Sequence, residues 1–225
     1  MADHLSVGVQ TWGSAILLGR EMARRPESFG LFLPGGGLRV LELGAGTGLL
    51  SILCRKLLDL HHASLGSTGT SDDLVVATDF HPDVLSNLKI CVDLNFPPQP
   101  AENRDPITSS TDISSDSGIH ISKLDWSTFP AYMEKRKGAQ CHEDKEEMAR
   151  FVNRPFDLVL ASDCVYDPTH AAMLRKVAPW VLRPPPGAKD KLDPGGTFVS
   201  NSSVGCDRKL IDAAHPLPAP TDIRA

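Results

Sequence analysis

Residues 39–48 read Arg-Val-Leu-Glu-Leu-Gly-Ala-Gly-Thr-Gly, and they decide the fold. Val40 to Leu43 is a short apolar run carrying one acid, Glu42, the pattern of a buried parallel strand. It breaks at once into Gly44, Gly46 and Gly48. An apolar stretch of helical character follows, with Leu49, Leu50, Ile52, Leu53, Leu57 and Leu58. Strand, glycine turn and helix make the first half of a nucleotide-binding βαβ unit. Glycines let the backbone approach a ligand with dihedrals that other residues resist. The helix N-terminus then offers unpaired N–H groups to that ligand. The dinucleotide fingerprint is G-x-G-x-x-G, and here Leu49 stands where its third glycine would fall. A P-loop is excluded too, because no Lys-Ser/Thr pair closes the turn.

Upstream of this stretch, Thr11 to Ala23 reads as a helix. Trp12, Ala15, Ile16, Gly19, Met22 and Ala23 recur at near-helical spacing and predict one apolar face. Trp12 is either a core residue or a wall of a ligand cleft. Pro34 to Gly37 is a loop that delivers the chain to the first strand.

Downstream, residues 61–73 are small and polar and predict a surface insertion, with His61 and His62 solvated rather than metal-bound. Leu74 to Thr78 is a second buried strand ending at Asp79. An acid there accepts hydrogen bonds from both ribose hydroxyls of a bound nucleoside. The insertion explains why Asp79 lies further from the turn than the usual separation of about 20 residues. The competing role for Asp79 is a helix N-cap, since Pro82 stands at a plausible first helical position.

A helix over His81 to Asn95 follows, then a Pro/Ser/Thr/Asp-rich insertion at 96–118. Ile119 to Leu124 alternates as a third strand and ends in Asp125-Trp126. A carboxylate and an indole at a strand end suit an adenine, through the exocyclic amine and the ring face. A capping Asp beside a half-buried Trp is the alternative. Residues 131–150 are heavily charged, a solvated helix or an extension. Phe156 to Ser162 is a fourth, almost wholly apolar strand that runs into Asp163-Cys164-Val165-Tyr166. Pro168 opens a helix to Leu182. Gly195 to Ser200 is a fifth strand, and 201–225 form an irregular tail.

With 225 residues the chain suffices for one α/β domain with a real core. A net charge of −5 argues against a general nucleic-acid binder. The five cysteines form no C-x-x-C, so free buried thiols in a reducing compartment are expected. No basic stretch leads into an apolar run at the N-terminus, so no signal peptide is evident. No apolar run is long enough to span a membrane. No spacing suggests a metal.

Strands alternating with helices predict an α/β fold, a Rossmann-like, doubly wound and mostly parallel sheet. Ligands bind at the carboxyl ends of such strands. Gly44 to Gly48, Asp79, Asp125-Trp126 and Asp163 to Tyr166 all fall on that rim. The arrangement resembles the seven-strand S-adenosylmethionine-dependent methyltransferases. More narrowly, it is similar to methyltransferase family 16, the nonhistone protein-lysine methyltransferases. The matching pieces are Thr11 to Ala15, Val40 to Gly48, Thr78-Asp79, Asn87, Leu124 to Trp126 and Leu158 to Tyr166.

The resemblance implies a class I methyltransferase domain over 1–200, with insertions near 61–73, 96–118 and 131–150. It implies S-adenosyl-L-methionine as cofactor, held by Trp12, Glu42, Gly44, Ala45, Gly46, Gly48, Asp79, Asp125, Trp126 and Ser162. Asp163 and Tyr166 take the catalytic roles, beside the methyl donor and an incoming lysine of a protein substrate. It implies no nucleic-acid or membrane partner, a monomer, and a cytoplasmic or nuclear place of work. Related enzymes add a final antiparallel strand pair, which the sequence after Ser200 does not supply, the pattern of a C-terminally truncated product.

Three other readings compete. One is a methyltransferase for small molecules or nucleic acids, although base methylation typically comes with Asn/Asp-Pro-Pro-Tyr/Phe where this chain has Asp-Cys-Val-Tyr. A second is a non-catalytic binding module on the same fold. A third is a dinucleotide oxidoreductase, which the glycine spacing disfavours.

Overall fold

A computed structural model describes residues 8–32, 37–66, 72–97, 118–138, 153–183 and 197–201. The readings placed on residues 33–36, 98–117, 139–152 and the tail beyond 201 lie outside the described residues. So does the question of a final antiparallel pair.

The elements alternate as the sequence predicts. They are α1 (Gly13–Arg24), β1 (Arg39–Leu43), α2 (Leu49–Ser64), β2 (Leu74–Asp79), α3 (Pro82–Asn95), β3 (Ile119–Lys123), α4 (Phe129–Gly138), β4 (Leu158–Ser162), α5 (Pro168–Val181) and β5 (Thr197–Asn201). The described strands form one sheet in the order β3-β2-β1-β4-β5. Every pairing is parallel, with Val40 opposite Val75 on one side and Leu158 on the other.

Successive side chains of a strand point to opposite faces. Val40, Val75, Ala77, Leu158 and Leu160 therefore pack on one side, against Met22 of α1, Leu50 and Leu58 of α2 and Leu88 of α3. Leu41, Leu43, Val76, Val159 and Ala161 pack on the other, against Phe129 of α4 and Leu174, Val177 and Val181 of α5. Two apolar layers back to back explain why β1 and β4 are nearly free of polar residues.

Three sequence expectations need correction. The apolar face of α1 is built from Ser14, Leu18, Gly19 and Met22, while Ile16 is 41% exposed and Ala23 lies outside the core. The helix rolls so that Trp12 and Ala15 face a cavity rather than the sheet. The segment from His61 does not open an insertion, because α2 continues to Ser64. Its histidines are engaged rather than solvated: His61 stacks on Phe32 at 4.1 Å, and His62 Nε2 lies 2.6 Å from the buried Asp73 carboxylate. Finally, the charged stretch from residue 131 begins inside α4, which is anchored in the core by Phe129 and Met133.

Candidate active site

The sheet order turns back between β1 and β4, and crevices of doubly wound folds open at the carboxyl ends of strands at such a point. A cavity of about 350 Å³ lies there, within the range of about 300–1,000 Å³ typical of small-ligand sites. Trp12, Glu42, Gly44, Ala45, Gly46, Asp79, Asp125, Trp126, Ser162, Asp163 and Tyr166 all line it. Gly48 is the one residue singled out from the sequence that does not.

The glycine turn is shaped by contact as well as by dihedral angle. Gly44 and Gly46 have φ values of 66° and 55°, in the left-handed region. A Cβ on Gly44 falls 2.8 Å from Cys164 Cβ and 3.4 Å from the Trp126 indole. The loops after β1, β3 and β4 therefore meet at one point with no room for a methyl group. The turn is pinned to β2 by Ala45 N–H donating to Thr78 O at 2.8 Å and Gly46 N–H donating to Asp79 Oδ2 at 3.1 Å. Gly48 serves packing below the turn: a Cβ there lies 2.3 Å from Leu88 Cδ1 of α3.

Glu42 is buried on the cavity floor, and both the N–H and the hydroxyl of Ser51 donate to its Oε2. Gly48 has no side chain with which to cap α2, so strand β1 supplies the cap across the turn. Burial pushes the Glu42 carboxyl up to about 7 from an ordinary 4.5, against its Ser51 hydrogen bonds and with a further push from Asp79. The folded chain thus holds that proton more tightly than the unfolded chain. The resulting stability is complete below about pH 4.5 and is lost as pH rises through about 7. In Glu42→Gln the amide oxygen still accepts from Ser51 but nothing titrates. The stability difference, wild type minus variant, is expected to fall by about 3 kcal/mol between about pH 5 and pH 8. Urea denaturation at several pH values measures it, and a flat difference would refute the buried-acid assignment.

Asp79 is not the N-cap of α3. His81 takes that place, its Nδ1 accepting from Asp83 N–H at 3.2 Å. The Asp79 carboxylate instead holds Gly46 N–H with one oxygen and Phe80 N–H, at 2.7 Å, with the other. Each carboxylate oxygen has two acceptor sites, so the group remains able to take ligand hydroxyls. Asp125 makes the capping contacts considered for it and also faces the cavity. It accepts from Ser127 N–H and Oγ–H at 2.8 and 2.6 Å. Burial pushes its carboxyl up, but the Ser127 and Thr128 hydrogen bonds outweigh that and hold it below the ordinary value.

After β4, Ser162 Oγ–H donates to Ser14 Oγ at 3.3 Å and ties α1 to the cavity wall. Asp163 is 6% exposed and sits at φ 54°, the only non-glycine residue at positive φ among the described residues. Strained backbone of this kind concentrates at functional sites. Tyr166 is half-exposed at the mouth, and burial of the phenol pushes it up to about 12. It keeps its proton at neutral pH and acts there as a hydrogen-bonding phenol.

Two features escaped the sequence reading. Thr11 Oγ1 and Thr47 Oγ1 hydrogen-bond at 2.8 Å and draw the N-terminal segment onto the glycine turn. No sequence signal joins residues so far apart. His170 lines the cavity between Trp126 and Tyr166. Its place four residues after Tyr166, at the start of a helix, was the available clue.

The chain is 28% identical over 165 residues to the protein-lysine N-methyltransferase rrg1 of Schizosaccharomyces pombe, covering 73% of this chain and 39% of that protein. The chain itself carries a doubly wound, parallel α/β sheet. It spans about two fifths of that relative's length. Among solved methyltransferase structures, the glycopeptide N-methyltransferase MtfA with sinefungin aligns with a TM-score of 0.42 at 18% identity, over 88% of this chain and 59% of that one. Fibrillarin of Aeropyrum pernix with bound S-adenosyl-L-methionine aligns at 0.36 and 15%, over 72% and 49%. No family model matches the chain. Both halves of the sheet contribute to the cavity, Asp79 and Asp125 from the β2 and β3 side and the Asp163 to Tyr166 loop from β4.

Proposed function

We propose that this chain is an S-adenosylmethionine-dependent methyltransferase that acts on a lysine side chain of a protein. The observation that carries the reading is the meeting of the Gly44 turn with Cys164 and Trp126 at the rim of a cavity lined by Asp79, Asp125 and Asp163. The curated relative's name supports the lysine acceptor.

The residues present fit the cofactor. A Cβ-free cradle lets an extended ligand pass close to the backbone at Gly44 and Gly46. Asp79 is preset by backbone donors to accept ribose hydroxyls, and Asp125 and Trp126 suit the amine and face of an adenine. When bound, the cofactor supplies an electrophilic methyl group on a sulfonium. The chain's own task is positioning and exclusion of water. A lysine amine with an ordinary pKa of about 10.4 must lose its proton before it attacks, and a dry pocket lowers that value. Asp163 orients the amine from the left-handed turn after β4. Tyr166 and Trp126 present ring faces suited to cationic groups.

Asp79→Ala is expected to weaken S-adenosylhomocysteine binding at least about tenfold, since it removes a charged acceptor and frees the Gly46 amide. Isothermal calorimetry measures it, and unchanged affinity would refute the ribose assignment. A folded wild-type chain that shows no binding would favour a non-catalytic module. The reading extends to a monomer working in the cytoplasm or nucleus without nucleic-acid or membrane partners. The net charge of −5 argues against a general nucleic-acid partner. Sedimentation of the purified chain and microscopy of a tagged one test it.

A further inference from the structure

His170 is the second residue after Pro168 in α5, and it meets two other loops at once. Its ring stands edge-on to Trp126, with centroids 6.4 Å apart at 85°, and edge-on to Tyr166, 5.9 Å apart at 83°. Its Nδ1 accepts the Tyr166 backbone N–H at 3.3 Å. Its own N–H closes the turn onto Asp167 O at 3.0 Å. All three rings line the cavity. The imidazole is thus a latch that fixes the Tyr166 backbone and wedges its ring against Trp126.

We propose that His170 is a positioning residue: through Nδ1 and its ring edge it sets the wall formed by Tyr166 and Trp126, against which the acceptor side chain docks. The inference rests on the methyltransferase reading above and deepens it. An acceptor at Nδ1 requires that nitrogen to be unprotonated, so the working tautomer carries its proton on Nε2. The ionisable groups on the loops meeting the ring are Asp163, Cys164 and Tyr166 after β4, Asp125 after β3 and Asp167 at the N-cap of α5. Asp167 is already engaged by Thr169 N–H at 2.7 Å. The Nδ1 contact lies on the Tyr166 side and the ring edge on the Trp126 side, so a variant that keeps the edge and loses Nδ1 acts on transfer rather than on cofactor affinity.

Two substitutions divide the roles of the ring. His170→Phe keeps an aromatic edge between Trp126 and Tyr166 and removes the acceptor. His170→Asn restores an acceptor in Oδ1 and removes the ring. NMR hydrogen exchange of the Tyr166 amide in the full chain reads the latch. Calorimetry with S-adenosylhomocysteine reads the donor side. Tritiated methyl transfer from S-adenosylmethionine into lysate proteins reads turnover. In His170→Phe, which keeps the edge against Trp126, S-adenosylhomocysteine affinity is expected to stay within about twofold, while the Tyr166 amide exchanges about tenfold faster and transfer slows about tenfold. His170→Asn is expected to recover most of both losses. Unchanged exchange in His170→Phe overturns the latch. Faster exchange with unchanged transfer overturns the positioning role. A wild-type chain that fails to bind S-adenosylhomocysteine strikes at the methyltransferase reading, and the amide exchange still decides the latch.

Discussion

Gly44→Ala is expected to destabilise the chain by about 2–5 kcal/mol and to abolish S-adenosylhomocysteine binding. Two costs add at this residue. An L-residue in the left-handed region costs about 1–2 kcal/mol, and Gly44 sits there at φ 66°. The new methyl group also lies 2.8 Å from Cys164 Cβ. A Cβ is fixed to the backbone, so relief requires moving the loop after β4 rather than turning a side chain. The Trp126 ring at 3.4 Å blocks the other direction. Cys164 is buried, and the surrounding core is closely packed. With total stabilities of about 5–15 kcal/mol for such domains, the loss is a large share. Urea midpoints measure the first effect and calorimetry the second. Adding Cys164→Gly removes the clashing atom and leaves the dihedral cost, so the double variant is expected to recover about half of the lost stability. No recovery would mean that the dihedral cost alone governs the turn.

Asp163→Asn is expected to lower methyl transfer by about two orders of magnitude, with S-adenosylhomocysteine affinity within about threefold of wild type. Asparagine tolerates the left-handed region nearly as well as aspartate does, so the φ of 54° is kept and the substitution removes the charge alone. A charge at 6% exposure acts through a lower dielectric than water, and so bears strongly on an amine that must arrive and be oriented. Single-turnover transfer of tritiated methyl separates this loss from binding. Transfer at the wild-type rate would remove Asp163 from the mechanism. A parallel loss of cofactor affinity would assign it to the donor side instead.

The fold was legible because its determinants are local. The central strands β1, β2 and β4 are short, mainly apolar runs bounded by polar or glycine residues, the mark of parallel strands buried on both faces, and the edge strand β3 alternates instead. The rim was legible for the same reason, since Gly44, Asp79, Asp125 and Asp163 each end such a run. Facts that depend on how elements roll or meet were not legible. The buried face of α1 turned on which side Trp12 presents to the cavity. The division of labour among the glycines, with Gly44 facing Cys164 and Gly48 facing Leu88, depends on neighbours far along the chain. The capping role of His81 in place of Asp79 turned on where the helix begins, at Pro82 directly after His81. His61 and His62 lay in a polar stretch whose composition matches a loop, yet α2 carries them on to Phe32 and Asp73.

The sheet order has one more consequence. Asp79 and Asp125 stand on strands that lead outward from β1, while Asp163 and Tyr166 follow β4, and the two groups are joined through one strand pair, Val40 to Leu43 against Leu158 to Ala161. On the proposed reading, recognition of the common donor and of a particular acceptor falls on different halves of the sheet, which meet along this strand pair and again where Gly44, Trp126 and Cys164 converge. Acceptor choice can then diverge through exchange of the segment after β4 while the donor half stays intact. Separate fragments meeting at that boundary offer a natural split reporter for cofactor.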